Sequence, residues 1–428
     1  MKVLIVGGGG REHALAWKLC RDDASLDLIA APGNPGISQL GRCVPIGVDK
    51  LKELANLAEE EYVDLTIIGP EAPLEAGIVN LFQSRGLPVF GPTREAARIE
   101  TSKRFAKDLM VRAGIPTARA SQHSDAKEAK AALADFGTPV VIKASGLAAG
   151  KGVIVAQSAA EAERAIDAML GDRIFGAAGR EILVEEFMEG EELSLFVITD
   201  GQQALPLLPA QDHKRLLEGD LGPNTGGMGA FAPASVATPE LVTRVMNEII
   251  RPTLAALRDA ASPFRGLLYA GLMITAEGPK VVEFNCRFGD PETETILPLM
   301  DSSLLELIAA VAGGASLSRA RYPDWKALTA VTTVVAAAGY PDNVRKGEPI
   351  QLPPRETGVE VFHSGTGKDP LGQLVTAGGR VLAVTGVAES LLEAAELSRS
   401  YAERVSLSGK HLRRDIGWRE LSRSARAT

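Results

Sequence analysis

The segment 282–292, "VEFNCRFGDPE", places polar side chains on what reads as a buried strand. Side chains alternate between the two faces of a strand. Glu283, Asn285 and Arg287 therefore share one face, and the apolar residues beside them share the other. The apolar face suits a core, whereas the polar face needs a ligand.

A carboxylate and an amide oxygen on one strand face suit a hard cation such as Mg²⁺, which completes its shell with water and phosphate oxygens. A surface strand with outward polar residues is the other interpretation. The preceding run, "LLYAGLMI", is so apolar that it indicates a buried sheet, where an unpaired charge is costly. Metal and phosphate chemistry at Glu283 and Asn285 is the better explanation.

The stretch "GLAAGKG" resembles a nucleotide-binding loop, although it is not the common P-loop, because its glycines are too closely spaced and Gly152 replaces the required Ser or Thr. Gly146, Gly150 and Gly152 allow backbone N–H groups to approach an anion. Lys143 precedes the loop at the end of an apolar run, within reach of a phosphate. A plain hairpin needs fewer glycines, so the stretch favours a phosphate site.

Two other stretches are ambiguous. The glycines 7–10 do not match a dinucleotide fingerprint, because its third glycine would fall on Glu12 or His13. A phosphate at a helix N-terminus and a tight turn both remain open there. The acidic run "VEEFMEGEELS" is most simply a solvated turn; the functional alternative is a hinge that meets an adenine while Glu192 binds ribose hydroxyls.

Composition narrows the classes of function. The length of 428 residues suggests about three domains. A net charge of −8 without a basic run argues against nucleic acid, and three cysteines argue for a reducing compartment. No apolar run suits a signal peptide or a membrane helix. We expect a soluble cytoplasmic protein without a histidine- or thiol-based nucleophile, and with no nucleic-acid or membrane partner.

The elements that must position these residues follow from the apolar pattern. Short apolar runs stopped by Gly or Pro alternate with helical stretches over the first hundred residues, which predicts a doubly wound parallel sheet. Ligands gather at the carboxyl ends of such strands, here in the loops at 7–10, 32–34 and 69–71. A hairpin, a helix and a strand follow within 139–187, then mixed strands and helices, and a small α+β unit begins near residue 327.

The order of these motifs resembles that of ATP-grasp ligases, with Lys103, Lys143 and its glycine loop, the acidic run and "EFNCR" in sequence. More closely, the stretches "GGREHALAW", "IKASGLAAGKGV", "QDHKR", "GPNTGGMGA", "EFNCRFGDPE" and "RRDIGWR" resemble the phosphoribosylamine–glycine ligase family from residue 1 to about residue 420. There are two departures. The first loop is "GGGG" where the family often has GNGG. The strand "YAGLMIT" also lacks the Asp that many ATP-grasp enzymes carry, so the metal site should depend on Glu283 and Asn285.

The resemblance implies a multidomain α/β and α+β fold. Residues 1–100 would form an N-terminal doubly wound domain that binds 5-phosphoribosylamine. Residues 101–320 would form the ATP-grasp core, with a small lid at about 119–190. Residues 325–428 would form a C-terminal α+β domain.

The resemblance also implies an activity, in which ATP converts glycine to glycyl phosphate and the amine of 5-phosphoribosylamine attacks it, in de novo purine biosynthesis. ATP is the co-substrate, with Mg²⁺ or Mn²⁺ at Glu283 and Asn285, and we expect a monomer. Arg287 and Asp212 are the expected catalytic residues. The expected nucleotide-binding residues are Lys103, Lys143, Gly146, Gly150, Gly152, Glu185, Glu186, Phe187 and Glu192. The expected residues for the other substrates are Gly9, Gly10, Gly33, Asn34, Glu71, Lys214 and Thr225.

Two alternatives stay open at this point. One is another ATP-grasp ligase or a carboxylase of purine metabolism, which would need a bicarbonate pocket. The other is a nucleotide-binding protein without turnover, which is disfavoured because metal, nucleotide and phosphoribosyl sites are all expected.

Overall fold

The computed structural model describes residues 1–148 and 152–427. Its first unit is a parallel sheet of order β3-β2-β1-β4-β5, as the sequence predicts. The strands are β1 (Lys2–Gly7), β2 (Asp27–Pro32), β3 (Arg42–Cys43), β4 (Leu65–Ile68) and β5 (Val89–Phe90). The helices are α1 (Gly10–Asp22), α2 (Leu51–Glu60), α3 (Glu71–Glu75), α4 (Ile78–Ser84), α5 (Arg94–Thr101) and α6 (Lys103–Arg112). Leu4 and Val6 of β1 pack into one apolar cluster and Val3 and Ile5 into another, which explains its unbroken apolar run.

The second unit is a small antiparallel sheet of order β6-β9-β7-β8. Its elements are β6 (Ala120–His123), α7 (Ala126–Ala132), β7 (Val140–Ala144), β8 (Val153–Ala156), α8 (Ala159–Ile166) and β9 (Ile182–Glu186). β7 and β8 pair in the predicted hairpin, with Lys143 opposite Val153. The unit has its own apolar cluster, which includes Ile142, Ile166 and Val184. We call this unit the small sheet unit.

The third unit contains the sheet of order β11-β10-β16-β17. Its strands are β10 (Glu191–Thr199), β11 (Ala204–Pro206), β12 (Gln211–Asp212), β13 (Arg215–Leu217), β14 (Leu221–Asn224), β15 (Gly229–Ala232), β16 (Gly266–Thr275) and β17 (Gly278–Asn285). Its helices are α9 (Pro239–Val245), α10 (Arg251–Asp259), α11 (Glu292–Ile296) and α12 (Leu304–Ala312). β17 ends at Asn285, earlier than the alternation of its sequence suggests, because the N–H of Cys286 donates to Glu100 Oε2 at 2.7 Å. The predicted apolar face is nevertheless buried through Phe288.

The last unit is an α+β unit whose main sheet has the order β12-β15-β18-β22-β19. Its own elements are β18 (Thr329–Ala336), β19 (Val359–His363), β20 (Thr366–Lys368), β21 (Leu374–Thr376), β22 (Arg380–Ala388), α13 (Leu391–Arg404) and α14 (Trp418–Ala427). Two strands of this sheet, β12 and β15, come from the preceding part of the chain. The predicted multidomain fold class is confirmed. Within the described residues, no helix combines the length and the apolarity that crossing a bilayer requires.

Candidate active site

A cleft of about 530 Å³ lies where these units meet. Its walls are β7, β8 and β9 of the small sheet unit, β10, β16 and β17 of the central sheet, the start of α3, and the first residue of β22. The predicted site residues that line it are Glu71, Lys103, Lys143, Gly152, Glu185, Glu186, Phe187, Glu192, Asp212, Lys214, Thr225, Glu283, Asn285 and Arg287. The structure therefore brings most of the predicted residues into one space.

Two lysines and one carboxylate form a buried network on the floor of the cleft. Lys143 Nζ lies 2.7 Å and Lys107 Nζ 3.0 Å from the two oxygens of Glu185. Burial opposes ionisation of Glu185, but the two lysines outweigh it and lower its pKa. Lys143 also donates to the Val282 carbonyl at 3.1 Å. Lys143 is therefore held rigidly at the end of β7, with its ammonium group at the cleft.

Lys103 lies at the first position of α6, next to the Ser102 side chain that caps the helix. Its Nζ donates to the carbonyl of Gly146 at 3.4 Å. Burial lowers the pKa of Lys103, and the nearby Glu283 carboxylate works against that change. An anion bound beside it would stabilise the charged form. Gly146 contributes its carbonyl to this contact, whereas Gly150 lies outside the described residues.

Glu283 and Asn285 form the polar wall that the sequence predicts. Burial opposes the ionisation of Glu283, but Lys214, Lys103 and Lys143 together hold its pKa below the usual value. No hydrogen bond joins either side chain to another of the described residues. An ionised carboxylate and an amide with free oxygen lone pairs suit a divalent cation. The described part of the chain contains no group of three or more His, Cys, Asp or Glu residues placed to hold a metal, so a cation here needs ligand oxygens from elsewhere.

Arg287 lies on the same side as this wall but is already paired. Its Nε lies 3.3 Å from Glu71 Oε2, and one terminal nitrogen lies 3.1 Å from Glu100 Oε1. Burial acts against its charge, but the two carboxylates raise its pKa further above the usual value. The guanidinium is thus a permanent cation of fixed orientation. Glu100 also accepts from the Cys286 N–H, so it ties the end of β17 to α5.

An acidic cluster of Asp212, Glu192, Glu283 and Glu292 also lines the cleft. Burial raises the pKa of Asp212 to about 8, and Glu292, Glu192 and Glu283 add to the rise, while Lys214 opposes it. Lys214 Nζ lies 3.9 Å from Asp212 and 2.7 Å from Glu192. Burial and the three nearby carboxylates therefore favour the protonated form of the Asp212 carboxyl group. Such a cluster favours a cationic ligand.

The four predicted N-terminal residues lie together but outside the lining of the cleft. The Gly9 N–H donates to Glu12 Oε2 at 2.6 Å. The Asn34 amide donates to the carbonyls of Gly8 at 2.9 Å and His363 at 2.7 Å. Its oxygen accepts from two backbone N–H groups of its own loop. Asn34 thus holds the loops around Gly9, Gly10 and Gly33 in place, and its side chain has no free group for a ligand.

Sequence reasoning missed several polar residues that line the cleft, among them Tyr269, Asp290, Glu292 and Arg380. The Tyr269 hydroxyl donates to Glu292 Oε1 at 2.7 Å, and the Ser194 hydroxyl donates to the same oxygen at 3.1 Å. Asp290 and Glu292 close the motif "CRFGDPE", so their position near Arg287 was available as a signal. Tyr269 and Arg380 belong to apolar strands; their stretches, "YAGLM" and "GGRVLAVT", take part in the family resemblance, but the apolar pattern itself assigns neither side chain to a site.

Comparison with known families covers most of the chain. The N domain of phosphoribosylglycinamide synthetase matches residues 1–100, its ATP-grasp (A) domain matches 101–293, and its C domain matches 330–419. The chain belongs to the phosphoribosylglycinamide synthetase family.

Relatives of this family resemble the chain along its length. A phosphoribosylamine–glycine ligase of Brucella melitensis is 48% identical and is aligned over 99% of both chains. One from Ralstonia nicotianae is 49% identical over 99% of this chain and 100% of its own. The crystal structure of the ligase from Thermotoga maritima has a TM-score of 0.85 and 35% identity, over 97% of this chain and 100% of that one. The membership predicted from sequence motifs is confirmed.

Proposed function

We propose that this protein joins glycine to 5-phosphoribosylamine with ATP, giving glycinamide ribonucleotide, ADP and phosphate in purine biosynthesis. The observation that carries the proposal is the cleft in which fixed lysines, an ionised carboxylate and a permanently charged arginine converge. Catalysis of acyl phosphate formation depends mainly on positioning and charge stabilisation. This cleft supplies both through its fixed lysines, Glu283 and Arg287.

The nucleotide would lie along the small sheet unit. Val141 and Val155 of the β7–β8 hairpin and Met273 of β16 give one end of the cleft an apolar lining suited to an adenine ring. Backbone groups of Glu185, Glu186 and Phe187 border this end, and the Glu192 carboxylate would accept from ribose hydroxyls. Lys103, Lys143 and the loop that carries Gly146 and Gly152 would bind the phosphates.

Glu283 and Asn285 would hold the Mg²⁺ or Mn²⁺ that accompanies the nucleotide. The cation, when bound, would neutralise phosphate charge during phosphoryl transfer. Arg287 would stabilise the charge on the γ-phosphoryl group and on the glycine carboxylate that receives this group. The Asp212 carboxyl group would bind the glycine ammonium, since the acidic cluster around it favours a cation.

The acceptor would bind between the cleft and the N-terminal unit. Gly9, Gly10 and Gly33 lie at carboxyl ends of parallel strands, where phosphate groups are commonly bound. Glu71, Lys214 and Thr225 line the cleft. We infer that residues 1–100 bind this substrate, that 101–320 bind ATP and that 325–428 complete the enzyme. The segment at about 119–190 would close as a lid and protect glycyl phosphate from water.

We expect a monomeric, cytoplasmic enzyme. The direct test of its function measures ADP release with each substrate omitted in turn. Full turnover should require ATP, glycine and 5-phosphoribosylamine together. Release that depends on bicarbonate instead of glycine would identify a carboxylase. Release that no added substrate stimulates would favour a nucleotide-binding protein.

The metal proposal has its own test in Glu283→Gln, which keeps the shape of the side chain and removes its charge. We expect an activity loss on the order of 100-fold and a clear rise in the Mg²⁺ concentration needed for half-maximal rate. Glu277→Gln is the matched control, because Glu277 is exposed at the turn between β16 and β17. An unchanged metal requirement in Glu283→Gln would refute the assignment.

A further inference from the structure

A second carboxyl pair, Asp290 and Glu294, lies beside the cleft and has no role in the scheme above. Glu294 belongs to α11 and its side chain is completely buried. Neither of its oxygens has a hydrogen-bond donor among the residues that the structure describes. A carboxylate buried in this way is costly unless it carries a proton or binds a ligand.

The carboxyl group of Asp290 lies near that of Glu294 and interacts with it. Burial first, and then the Asp290 carboxylate, raise the pKa of Glu294 well above its usual value. Both effects favour the protonated form of Glu294, which could donate to the Asp290 carboxylate.

Asp290 connects this buried group to the cleft. Its Oδ1 lies 3.0 Å from a guanidinium nitrogen of Arg380, the first residue of β22. The same nitrogen donates to the carbonyls of Gly226 at 2.6 Å and of Asp290 itself at 2.9 Å. The other oxygen, Oδ2, faces the first glycine loop, since a Cβ placed on Gly9 would lie 3.9 Å from it. One oxygen is thus anchored, and the other points towards the proposed acceptor site.

The charges around the pair come from several elements. Arg380 and Tyr340 approach from the C-terminal unit, and Glu292 lies on the helix of Glu294. From α1, Glu12 holds the Gly9 N–H, and Arg11 pairs with Glu12 at 2.6 Å. The Glu294 carboxyl group and the Ser364 hydroxyl both lie against Gly10. Arg380 is the only one of these groups that forms an ion pair with Asp290 in the described part of the chain.

We propose that Asp290 takes a proton from the acceptor amine as it attacks the acyl phosphate, and that Glu294 is a positioning residue behind it. The proposal rests on the proposed function. The lone pair of the amine forms the C–N bond to the glycyl carbon, the C–O bond to phosphate breaks, and phosphate leaves with that electron pair. The nitrogen then carries one proton too many, which passes to Asp290 Oδ2 and from there to the departing phosphate or to water.

Asp290→Asn separates the two halves of the reaction. It removes the base and keeps the size of the side chain. Hydroxylamine can replace the acceptor amine, and as a weak base it loses its proton without assistance. We expect Asp290→Asn to form glycine hydroxamate within about threefold of the parent rate, while formation of glycinamide ribonucleotide falls by at least about 100-fold in kcat. Asp301→Asn, the same change on an exposed loop, should alter neither rate.

Glu294→Gln supplies the independent readout. Its amide still donates to Asp290, so we expect Glu294→Gln to keep more than a tenth of the parent kcat and the parent pH profile. Glu294→Leu removes the donor and should move the acidic limb of the kcat–pH profile to higher pH by about half a unit or more. A purely structural role would lower the rate without moving the limb.

Several results would overturn the inference. They are equal losses of both half-reactions in Asp290→Asn, a rise in KM for 5-phosphoribosylamine with unchanged kcat, or an unmoved pH limb in Glu294→Leu. Parent enzyme that forms no glycine-dependent hydroxamate would refute the proposed function and this inference with it. If the parent enzyme forms glycine hydroxamate and Asp290→Asn is also fully active, the proposed function stands and only the role of Asp290 is refuted.

Discussion

At the scale of single residues, the cleft is organised by charges that are held in place before any ligand binds. Lys143, Glu185 and Lys107 form one such set, and Arg287 with Glu71 and Glu100 forms another. Because these groups are already oriented, little reorganisation is needed when phosphate charge moves. Asp212 differs from them, since its carboxyl group is buried among other acids and holds its proton to a pKa of about 8.

This difference predicts that glycine binding releases a proton. At pH 7 the Asp212 carboxyl group is mostly protonated, and a bound ammonium group would favour its ionised form. We expect about one proton to be released per glycine bound, in the presence of a non-hydrolysable ATP analogue, and less at pH 9, where the group is already ionised. Calorimetry in two buffers of different ionisation enthalpy measures this number directly.

Asp212→Asn should abolish the proton release and weaken glycine binding, while Asp324→Asn, at an exposed position, should change neither. Glycine binding that exchanges no proton in the parent protein would mean that Asp212 does not contact the ammonium group.

At the scale of elements, the loops between strands are held by side chains that look like ligand-binding groups in the sequence. Asn34 follows β2 in the stretch "APGN", where a phosphate-binding role is a natural interpretation. In the structure its amide joins three loops, through Gly8, His363 and the N–H groups of Gly36 and Ile37. A substrate could therefore depend on Asn34 without touching its side chain.

Asn34→Leu is accordingly predicted to destabilise the protein. It leaves buried carbonyl and N–H groups without partners, which we expect to lower the free energy of unfolding by roughly 2–5 kcal/mol. Chemical denaturation measures the change. The KM for 5-phosphoribosylamine should rise in the same variant, with that for ATP little altered.

The neighbouring Ser38→Ala is the control, because Ser38 is exposed and bonds only to the Pro35 carbonyl among the described residues. The free energy of unfolding of Ser38→Ala should stay within about 0.5 kcal/mol of the parent value. Parent-like stability in Asn34→Leu would contradict the structural role of its amide.

The elements that depend on local sequence could be predicted, whereas those that depend on contacts between distant parts of the chain could not. Periodicity predicts the parallel sheet, the β7–β8 hairpin and the buried face of β17, because each depends on local apolar pattern. Glu283, Asn285 and Arg287 were predictable for the same reason. By contrast, β12 is two residues long, and its pairing with β15 and through it with β18 depends on contacts between distant parts of the chain. The approach of Arg380 to Asp290 is also long-range, so no local pattern indicates it.

At the scale of the whole molecule, the N-terminal and C-terminal units are joined at a buried contact between two histidines. The His363 N–H donates to His13 Nδ1 at 2.8 Å, and the two rings lie 5.6 Å apart. Burial lowers the pKa of His13 to about 3, with a further contribution from His363, and burial lowers the pKa of His363 to about 4. Both rings are therefore neutral in the folded protein. The contact links α1, which begins at the glycine loop, to β19 of the C-terminal sheet.

The final prediction follows from these pKa values. A histidine in the unfolded chain takes up a proton below about pH 6.5, whereas these two do so in the folded protein only near pH 3–4. The two buried neutral rings therefore stabilise the folded protein fully above about pH 6.5. This stabilisation is lost progressively as the pH falls towards 4, because the unfolded chain takes up protons that the folded protein does not. The cost of each group approaches about 1.4 kcal/mol per pH unit as the pH falls, so the pair accounts for about 3 kcal/mol between pH 6.5 and pH 5. Denaturation at several pH values measures the dependence of the free energy of unfolding on pH.

The double variant His13→Asn, His363→Asn should be less stable at pH 7 yet lose less stability on acidification. His123→Asn, on the edge strand β6, should keep the pH dependence of the parent protein. An identical slope in the double variant would show that other groups cause the acid sensitivity and that the two end units are not coupled through this contact.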